Sequence, residues 1–370
     1  MAPRILFLHH TAVIGGAELQ LLSAARHFRE TSEVILFDDG PLRVALEKAG
    51  ARVRVFRSAW ARRGVRGSAP DFSARNIADV LRLAWLIARV SSSADLVVAN
   101  SPKALLAASL ARLVKRKPLL WIIHDLLDEP HFHPRAIRLL VRVANRSASR
   151  IVADSKAIAD AFISAGGRSD LVRLVYCGVA AFPLTERKVN DTPTLGLFGR
   201  TIPWKGHDVV LRALAHVPQA TAIFVGAEED AAYAQSLRDL AAQLGLTSRV
   251  RFLGFREDVA QLMQEVDCIV HASTAPEPFG LVIVEGMLAQ RPVIATRAGG
   301  AAEIVEDGQS GLLVRPGDPQ ELAAALNRIF SDPAEAKRLA KNGYARASSL
   351  FSEERMLWEL EQQFREIART

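Results

Sequence analysis

Glu277 and Glu285, with seven residues between them, lie in the run Ala275-Pro276-Glu277-Pro278-Phe279-Gly280-Leu281-Val282-Ile283-Val284-Glu285-Gly286. Two prolines hold Glu277 in an extended loop, and the pattern turns helical from about Gly280. The backbone N–H groups of Gly280, Leu281 and Val282 would then be unpaired donors at a helix start, suited to a phosphate. Glu285, near the second turn, cannot favour the phosphate but can accept hydrogen bonds from ribose or sugar hydroxyls. Taken singly, Glu285 is an ordinary N-terminal helix charge and Glu277 an exposed loop acid. A second turn, Phe198-Gly199-Arg200-Thr201-Ile202-Pro203-Trp204-Lys205-Gly206, places two cations five residues apart between a strand and a helix. Both can reach one pyrophosphate, Arg200 as a bidentate fork and Lys205 as a point charge. They would equally serve as solvated loop cations. Together the acids and cations describe a sugar–diphosphate pocket.

The first half offers less. Gly15-Gly16-Ala17-Glu18 follows a first strand and opens a helix. Glycines there let a phosphate or sugar approach the backbone, or simply make a tight turn. They are not the dinucleotide fingerprint, which needs GxGxxG and a later acid. His124 stands at a strand's carboxyl end with Asp125 after it, a position open to catalysis and to a structural role. His9 and His10 compete with it for such a place. No Asp-x-Asp occurs, so the usual metal–diphosphate ligand pair is missing. Charge on a bound diphosphate must then be met by Arg200, Lys205 and helix N-termini.

These residues need a scaffold, and the pattern supplies it. Strand-like runs fall at Arg4–Leu8, Glu33–Phe37, Arg52–Phe56, Asp95–Ala99, Leu119–Ile123, Arg150–Ala153 and Val172–Tyr176. A second series follows at Leu195–Phe198, Thr221–Val225, Arg249–Leu253, Asp267–His271, Pro292–Ala295 and Gly311–Val314. Helical patterns alternate with them and close the chain at Pro319–Phe330, Ala334–Ser349 and Glu353–Ala368. That alternation predicts βαβ units on parallel sheets. The expected organisation is a first α/β domain over 1–182, a linker over 183–193, and a second over 194–352. Both domains are doubly wound and Rossmann-like, and ligands sit beyond the carboxyl ends of their strands, by default in a cleft between the domains.

Apolar residues make 49% of the chain and charged ones 24%, which excludes a disordered or fibrous chain. Cys177 and Cys268 form no CxxC pair, which points to a reducing cytosol. Met1–His10 is too short for a signal peptide and reads as a strand. No run of about 18 uncharged apolar residues exists, and the most apolar helix candidate, Val80–Val90, contains Arg82 and Arg89. The net charge of +7 is uneven: residues 1–180 carry 27 basic and 15 acidic side chains, the remainder 20 and 25. Seven basic residues and no acid lie between Glu47 and Asp71, with Trp60, Arg62, Arg63 and Arg66 in a loop expected over Ala59–Pro70. Arg135, Arg138, Arg142 and Arg146 recur at helical spacing opposite Ile137, Leu140, Val141 and Ala144. This basic half is either a solvated face in an arginine-rich chain or a surface that docks on anionic membrane. Nucleic acid ranks below both, because no nucleic-acid motif accompanies the charge.

The run EPFGLVIVEGMLAQRPVIAT, the following AGGAAEIVEDGQSGLLVRPGD, the opening GGAE and the GRTIPWKG turn resemble glycosyltransferase family 4, and Glu277/Glu285 resemble its EX7E pattern. The resemblance implies a GT-B fold with two Rossmann-like domains facing a central cleft. It implies retaining transfer of a hexose from a UDP- or GDP-linked sugar to a hydroxyl of a glycan or lipid-linked acceptor in envelope polysaccharide or glycolipid synthesis. By the same resemblance Arg200 and Lys205 hold the diphosphate, Glu277 contacts the sugar, and Glu285 the ribose. Gly15 and Gly16 face the diphosphate, and His124 lies near the reacting centre. Phe279, Gly280, Leu281 and Val282 complete the donor pocket, and Phe255 and Arg256 neighbour the base. No metal or other cofactor is expected, the nucleotide-sugar being a co-substrate. The helix of about 353–370 is expected to pack back on the first domain, and the protein to be cytoplasmic, peripheral on the inner membrane face if it docks there. Gly286 and Gln290 depart from the EAMACG that such sequences more often carry, which should loosen this helix slightly. Arg200→Ala and Glu277→Ala are expected to stop transfer and spare the fold, both residues lying in loops. A sugar-nucleotide epimerase of similar fold would lack the EPFG…E constellation, and an inactive nucleotide- or glycan-binding protein would not need all four charged groups.

Overall fold

Parallel strands form wherever β-branched and other apolar residues run together between turn signals, because strands covered on both faces need no polar alternation. In the computed structural model, which describes residues 2–62, 73–128, 132–185 and 191–369, the chain forms two compact units. The first comprises Met1–Gly178 and Glu353–Thr370, the second Val179–Ser352.

Among the described residues, the first unit holds seven strands: β1 Ile5–His9, β2 Ser32–Leu36, β3 Arg52–Val55, β4 Leu96–Ala99, β5 Leu119–Ile123, β6 Arg150–Ala153 and β7 Val172–Leu174. All neighbours pair in parallel, in the order β3-β2-β1-β4-β5-β6-β7. The second unit holds β8 Thr194–Phe198, β9 Thr221–Val225, β10 Val250–Gly254, β11 Cys268–His271, β12 Val293–Thr296 and β13 Leu312–Val314. Their order is β10-β9-β8-β11-β12-β13, again parallel. Strand order reverses between β1 and β4 in one sheet and between β8 and β11 in the other. Those are the switch points where open α/β sheets offer a crevice at their carboxyl ends.

Serine and aspartate start several of the covering helices. Ser101 accepts from Ala104 N at 3.2 Å with Pro102 in the first turn, and Asp318 accepts from Glu321 N at 2.9 Å beside Pro319. One face of the first sheet is covered by the helices Ala74–Val90, Pro102–Val114 and Pro134–Ser147. The other takes the helices Gly16–His27 and Pro41–Lys48 together with the helix Glu353–Ala368, whose Met356, Leu357, Leu360, Phe364 and Ile367 are buried. Phe364 meets Phe7 and Phe28 edge-on at 6.0 and 5.4 Å. Each such side chain contributes about 1.5–3 kcal/mol when buried. Glu353 anchors the helix's start, accepting from Ser23 Oγ at 2.5 Å and Arg26 Nη2 at 2.7 Å.

Three local expectations are corrected. Ala59–Arg62 is a helical turn rather than loop, because Ser58 Oγ accepts from Ala61 N and Asp79 accepts from Trp60 N and Ser58 Oγ; residues 63–70 lie outside those described. Trp60 is half-buried with its side chain packed against the core and the Lys103 ammonium 5.5 Å from its ring centre, so its ring is not a free surface anchor. The start of the 183–193 stretch is tied down: Thr185 N donates to Gln264 Oε1 at 2.6 Å and Gln264 Nε2 to Pro183 O at 3.2 Å. Arg135, Arg138, Arg142 and Arg146 are all exposed, with Leu140, Val141 and Ala144 turned inward. Among the described residues no helix is long and apolar enough to cross a membrane.

Candidate functional site

In the second unit the two cations leave the end of β8. Gly206, with φ +71°, closes the turn that carries Lys205, and a Cβ there would stand 2.0 Å from Ala272 O. Only glycine lets this turn lie against the end of β11. Lys205 Nζ donates to both oxygens of Glu277, at 2.8 and 2.9 Å, and sits 4.3 Å from the Trp204 ring centre. The loop bearing Glu277 is gripped from the other side by residues after β12. Gly300 N donates to Glu277 O at 2.8 Å, and a Cβ on Gly299 would meet that oxygen at 2.2 Å.

His271 and Ser273, at the end of β11, complete the contacts of Glu277 Oε2 at 3.2 and 2.9 Å. Burial would raise the Glu277 carboxyl, but the Lys205 ammonium and His271 hold it well below the carboxylate range. Glu277 and Lys205 are therefore a nearly buried ion pair, with side chains 13% and 15% exposed. This corrects the expectation that Glu277→Ala spares the fold, because such a pair cannot lose one partner cheaply. Arg200 differs: it is exposed and meets Glu229 at 3.2 Å.

Glu285 points from the helix Leu281–Leu288, which begins at Gly280 with φ +111°. It is part-buried, and burial pushes its carboxyl up to about 7. The helix start leaves the N–H groups of its first residues without intrahelical acceptors. Phe279 spends its ring on packing, edge-on to Phe351 at 5.7 Å. Phe255 is 72% exposed beyond β10, and Arg256 beside it pairs with Asp258 at 2.5 Å. Gly286 does not loosen the helix: its missing Cβ would stand 2.9 Å from Ile269 Cγ1, so glycine brings the helix onto β11. Gln290, two residues past the helix end, holds φ 55°, the conformation glycine takes without strain.

In the first unit, four strand ends converge on one polar chain. His9 ends β1, Asn100 follows β4, His124 follows β5 and Asp154 follows β6. His124 Nδ1 meets Asp154 Oδ2, and its Nε2 lies 2.9 Å from Asn100 Oδ1. Asn100 Nδ2 lies 3.2 Å from His9 Nδ1, and His9 Nε2 lies 2.7 Å from Glu18 Oε1. Burial disfavours the His124 cation, yet Asp154, with Asp125 and Glu18, raises its pKa above the ordinary value. Burial would raise Glu18, but His9 lowers it. Gly15 caps the helix that carries Glu18, and Gly15 and Gly16 are exposed.

Sequence reading singled out His124 and the GGAE turn but not Asn100 or Asp154, and gave no role to His271, Ser273 or Glu229. Position at a strand's carboxyl end is the signal they share. Arg62 is exposed, and Arg63 and Arg66 lie outside the described residues. Among the described residues no group of three or more His, Cys, Asp or Glu is gathered as a metal would require.

Two doubly wound parallel sheets with charged side chains at the strand ends beside their switch points define the GT-B class, and structural neighbours share it. The chain belongs to the glycosyl transferases group 1 family: that family's model matches residues 184–346, and the glycosyl transferase 4-like domain matches residues 15–178. It is similar to Anabaena HepE, solved in complex with UDP and glucose, at 36% identity and TM-score 0.86, over 98% of this chain and 99% of that one. The sucrose-phosphate synthase of Thermosynechococcus elongatus shares the fold at 21% identity and TM-score 0.80, over 98% of each chain. A lipopolysaccharide core biosynthesis glycosyltransferase of Rhizobium meliloti is 30% identical over 56% of this chain. The matched stretch spans 62% of that relative's length, and 37% of the D-inositol 3-phosphate glycosyltransferase of Stackebrandtia nassauensis, 35% identical over 41% of this chain.

Proposed function

We propose that this protein is a retaining glycosyltransferase that moves a hexose from a nucleotide-diphosphate sugar, a UDP-sugar before a GDP-sugar, to a hydroxyl of a glycan or lipid-linked acceptor. The observation that carries the reading is the buried Lys205–Glu277 pair beside Arg200 and the helix start at Leu281. A diphosphate placed there meets two cations and unpaired N–H donors. Drawing the Lys205 ammonium toward the phosphate frees Glu277 Oε1 to accept from sugar hydroxyls, while His271 and Ser273 keep Oε2 in place. Arg200 and Lys205 then face the charge that grows on the leaving diphosphate, where preorganised donors lower a barrier most. Glu285 accepts from the ribose. Phe255 and Arg256 flank the base.

Both ring nitrogens of His124 are engaged within its own unit, so it acts as an imidazolium whose charge and orientation Asp154 and Asn100 set. The first unit takes the acceptor. The UDP preference and the envelope-glycan acceptor lean on HepE and the Rhizobium relative. The reading places the enzyme in the cytoplasm, where nucleotide-sugars are made, and routes charge neutralisation through its own cations rather than a metal.

The test is a panel of UDP-, GDP- and ADP-sugars scored by thermal protection. UDP-glucose should give the largest shift, and Lys205→Ala should abolish it. A panel in which no nucleotide-sugar protects the wild-type protein overturns the reading.

A further inference from the structure

The helix Ala74–Val90 presents a face that the proposed transfer does not use. Its Leu83, Ala84, Ile87 and Ala88 are buried in the first unit's core. Along the border of that buried face Ile77, Leu81 and Trp85 recur every four residues and stay 46%, 54% and 50% exposed. A four-residue repeat drifts slowly around a helix, so the three form one lane. Arg75, Arg82 and Arg89 recur every seven residues and are exposed beside it. The Arg89 guanidinium lies 4.6 Å from the centre of the Trp85 ring, so the lanes touch. The one acid on this helix, Asp79, is already engaged with Ser58 Oγ, Trp60 N and Arg82 Nη2.

We propose that this face docks the protein on an anionic lipid bilayer, with Ile77, Leu81 and Trp85 entering the headgroup boundary and the arginine lane on lipid phosphates. The apolar lane is about 12 Å long. Its three half-exposed side chains offer an area of about a few hundred Å², well short of the roughly 1,000 Å² a stable protein partner needs. It suits shallow insertion, where an indole prefers the interface and arginine stems lie along apolar surface with the charge at the phosphates. The charge agrees: residues 1–180 carry 27 basic against 15 acidic side chains, and four more exposed arginines line the helix Pro134–Ser147 of the same unit. This placement moves the membrane contact from the Trp60 segment to a regular helix. It rests on the helix face alone and does not need the transferase reading.

The full chain is sedimented with vesicles of phosphatidylcholine and phosphatidylglycerol at about seven to three, and with phosphatidylcholine alone. Binding should require the anionic lipid and weaken with salt. Brominated acyl chains should quench the tryptophan fluorescence of the bound protein, and Trp85→Phe should remove most of that quenching while the protein still binds. Leu81→Glu should weaken binding at least about tenfold, because a carboxylate would enter the boundary. Arg75→Gln with Arg89→Gln should flatten the salt dependence. Thermal unfolding confirms that each variant is folded, and UDP-glucose protection should be unchanged in all of them. Lost protection with intact docking would count against the donor site and not against this face. The proposal is overturned if anionic vesicles are not bound, if Leu81→Glu binds like wild type, or if Trp85→Phe is quenched as strongly as wild type. It is also overturned if the lane instead joins two copies, seen as a dimer in sedimentation that Leu81→Glu dissociates.

Discussion

Glu285 should make nucleotide-sugar binding and stability move in opposite directions. Its carboxyl is lifted from an ordinary 4.5 to about 7 by burial. Folding therefore favours its protonated form. The stability cost is absent well below the unfolded pKa, grows as pH rises from there, and is complete above about 7. At about pH 8 the charged carboxylate costs the unliganded fold up to about 3 kcal/mol. Glu285→Gln should then stabilise the unliganded protein at that pH and change little near pH 4. Ligand binding has the opposite sign, because ribose hydroxyls donate to the carboxylate. UDP-glucose should bind about tenfold more weakly at about pH 6 than at about pH 8, and release about three quarters of a proton at about pH 6.5. A nucleotide-sugar suits this assay because its diphosphate has no ionisation near neutrality. Calorimetry in buffers of different ionisation enthalpy reads the proton directly, and Glu285→Gln should lose it together with the pH dependence. The reasoning is refuted if wild-type affinity is flat over this range, or if Glu285→Gln keeps the wild-type slope.

Further outcomes follow from the same geometry. Lys205→Ala should stop turnover and also cost about 3 kcal/mol in denaturant unfolding, because it strands a buried carboxylate. Arg200→Ala should stop turnover within about 0.5 kcal/mol of wild-type stability, its pair with Glu229 being exposed. Gln290→Gly should gain about 0.5–1 kcal/mol by relieving φ 55°, read as a higher midpoint in calorimetry. Gly286→Ala should lower that midpoint despite alanine's better helix propensity, since the new Cβ would press on Ile269. His124, with its raised pKa, contributes stability that is complete below the unfolded pKa and is lost as pH rises through the folded one. The stability gap between wild type and His124→Gln should therefore narrow from acid to alkaline pH in urea titrations.

The scaffold was legible because strand and helix identity is written locally. The runs Leu119–Ile123, Arg150–Ala153, Thr221–Val225 and Glu353–Ala368 form elements with those same ends, and the other strands shift by a residue or two. What turn chemistry could not reveal was Ala59–Arg62, whose helical turn depends on Asp79 from the next helix. Arg200, Lys205, Glu277 and Glu285 stood out because each lies in a run with glycine or proline about it. Their partners did not. Lys205 and Glu277 are 72 positions apart, and nothing local says that they pair. The chain from Glu18 to Asp154 is assembled from four strands, so no spacing in the sequence encodes it. Gly286 reads as a poor helix residue until the strand beneath it is known.

The helix Glu353–Ala368 also sets an order of events at the ribosome. The second unit is an insert between Gly178 and Glu353, and its two ends meet, Val179 N donating to Phe351 O at 2.9 Å. That insert can be synthesised and closed as a whole. The first unit, begun earlier, has one face of its sheet only partly covered, by the helices Gly16–His27 and Pro41–Lys48, until the helix Glu353–Ala368 emerges and brings Phe364 to Phe7. The half of the chain made first is thus completed after the insert, and a ribosome that stalls after Ser352 leaves a complete insert attached to a sheet with one face only partly covered.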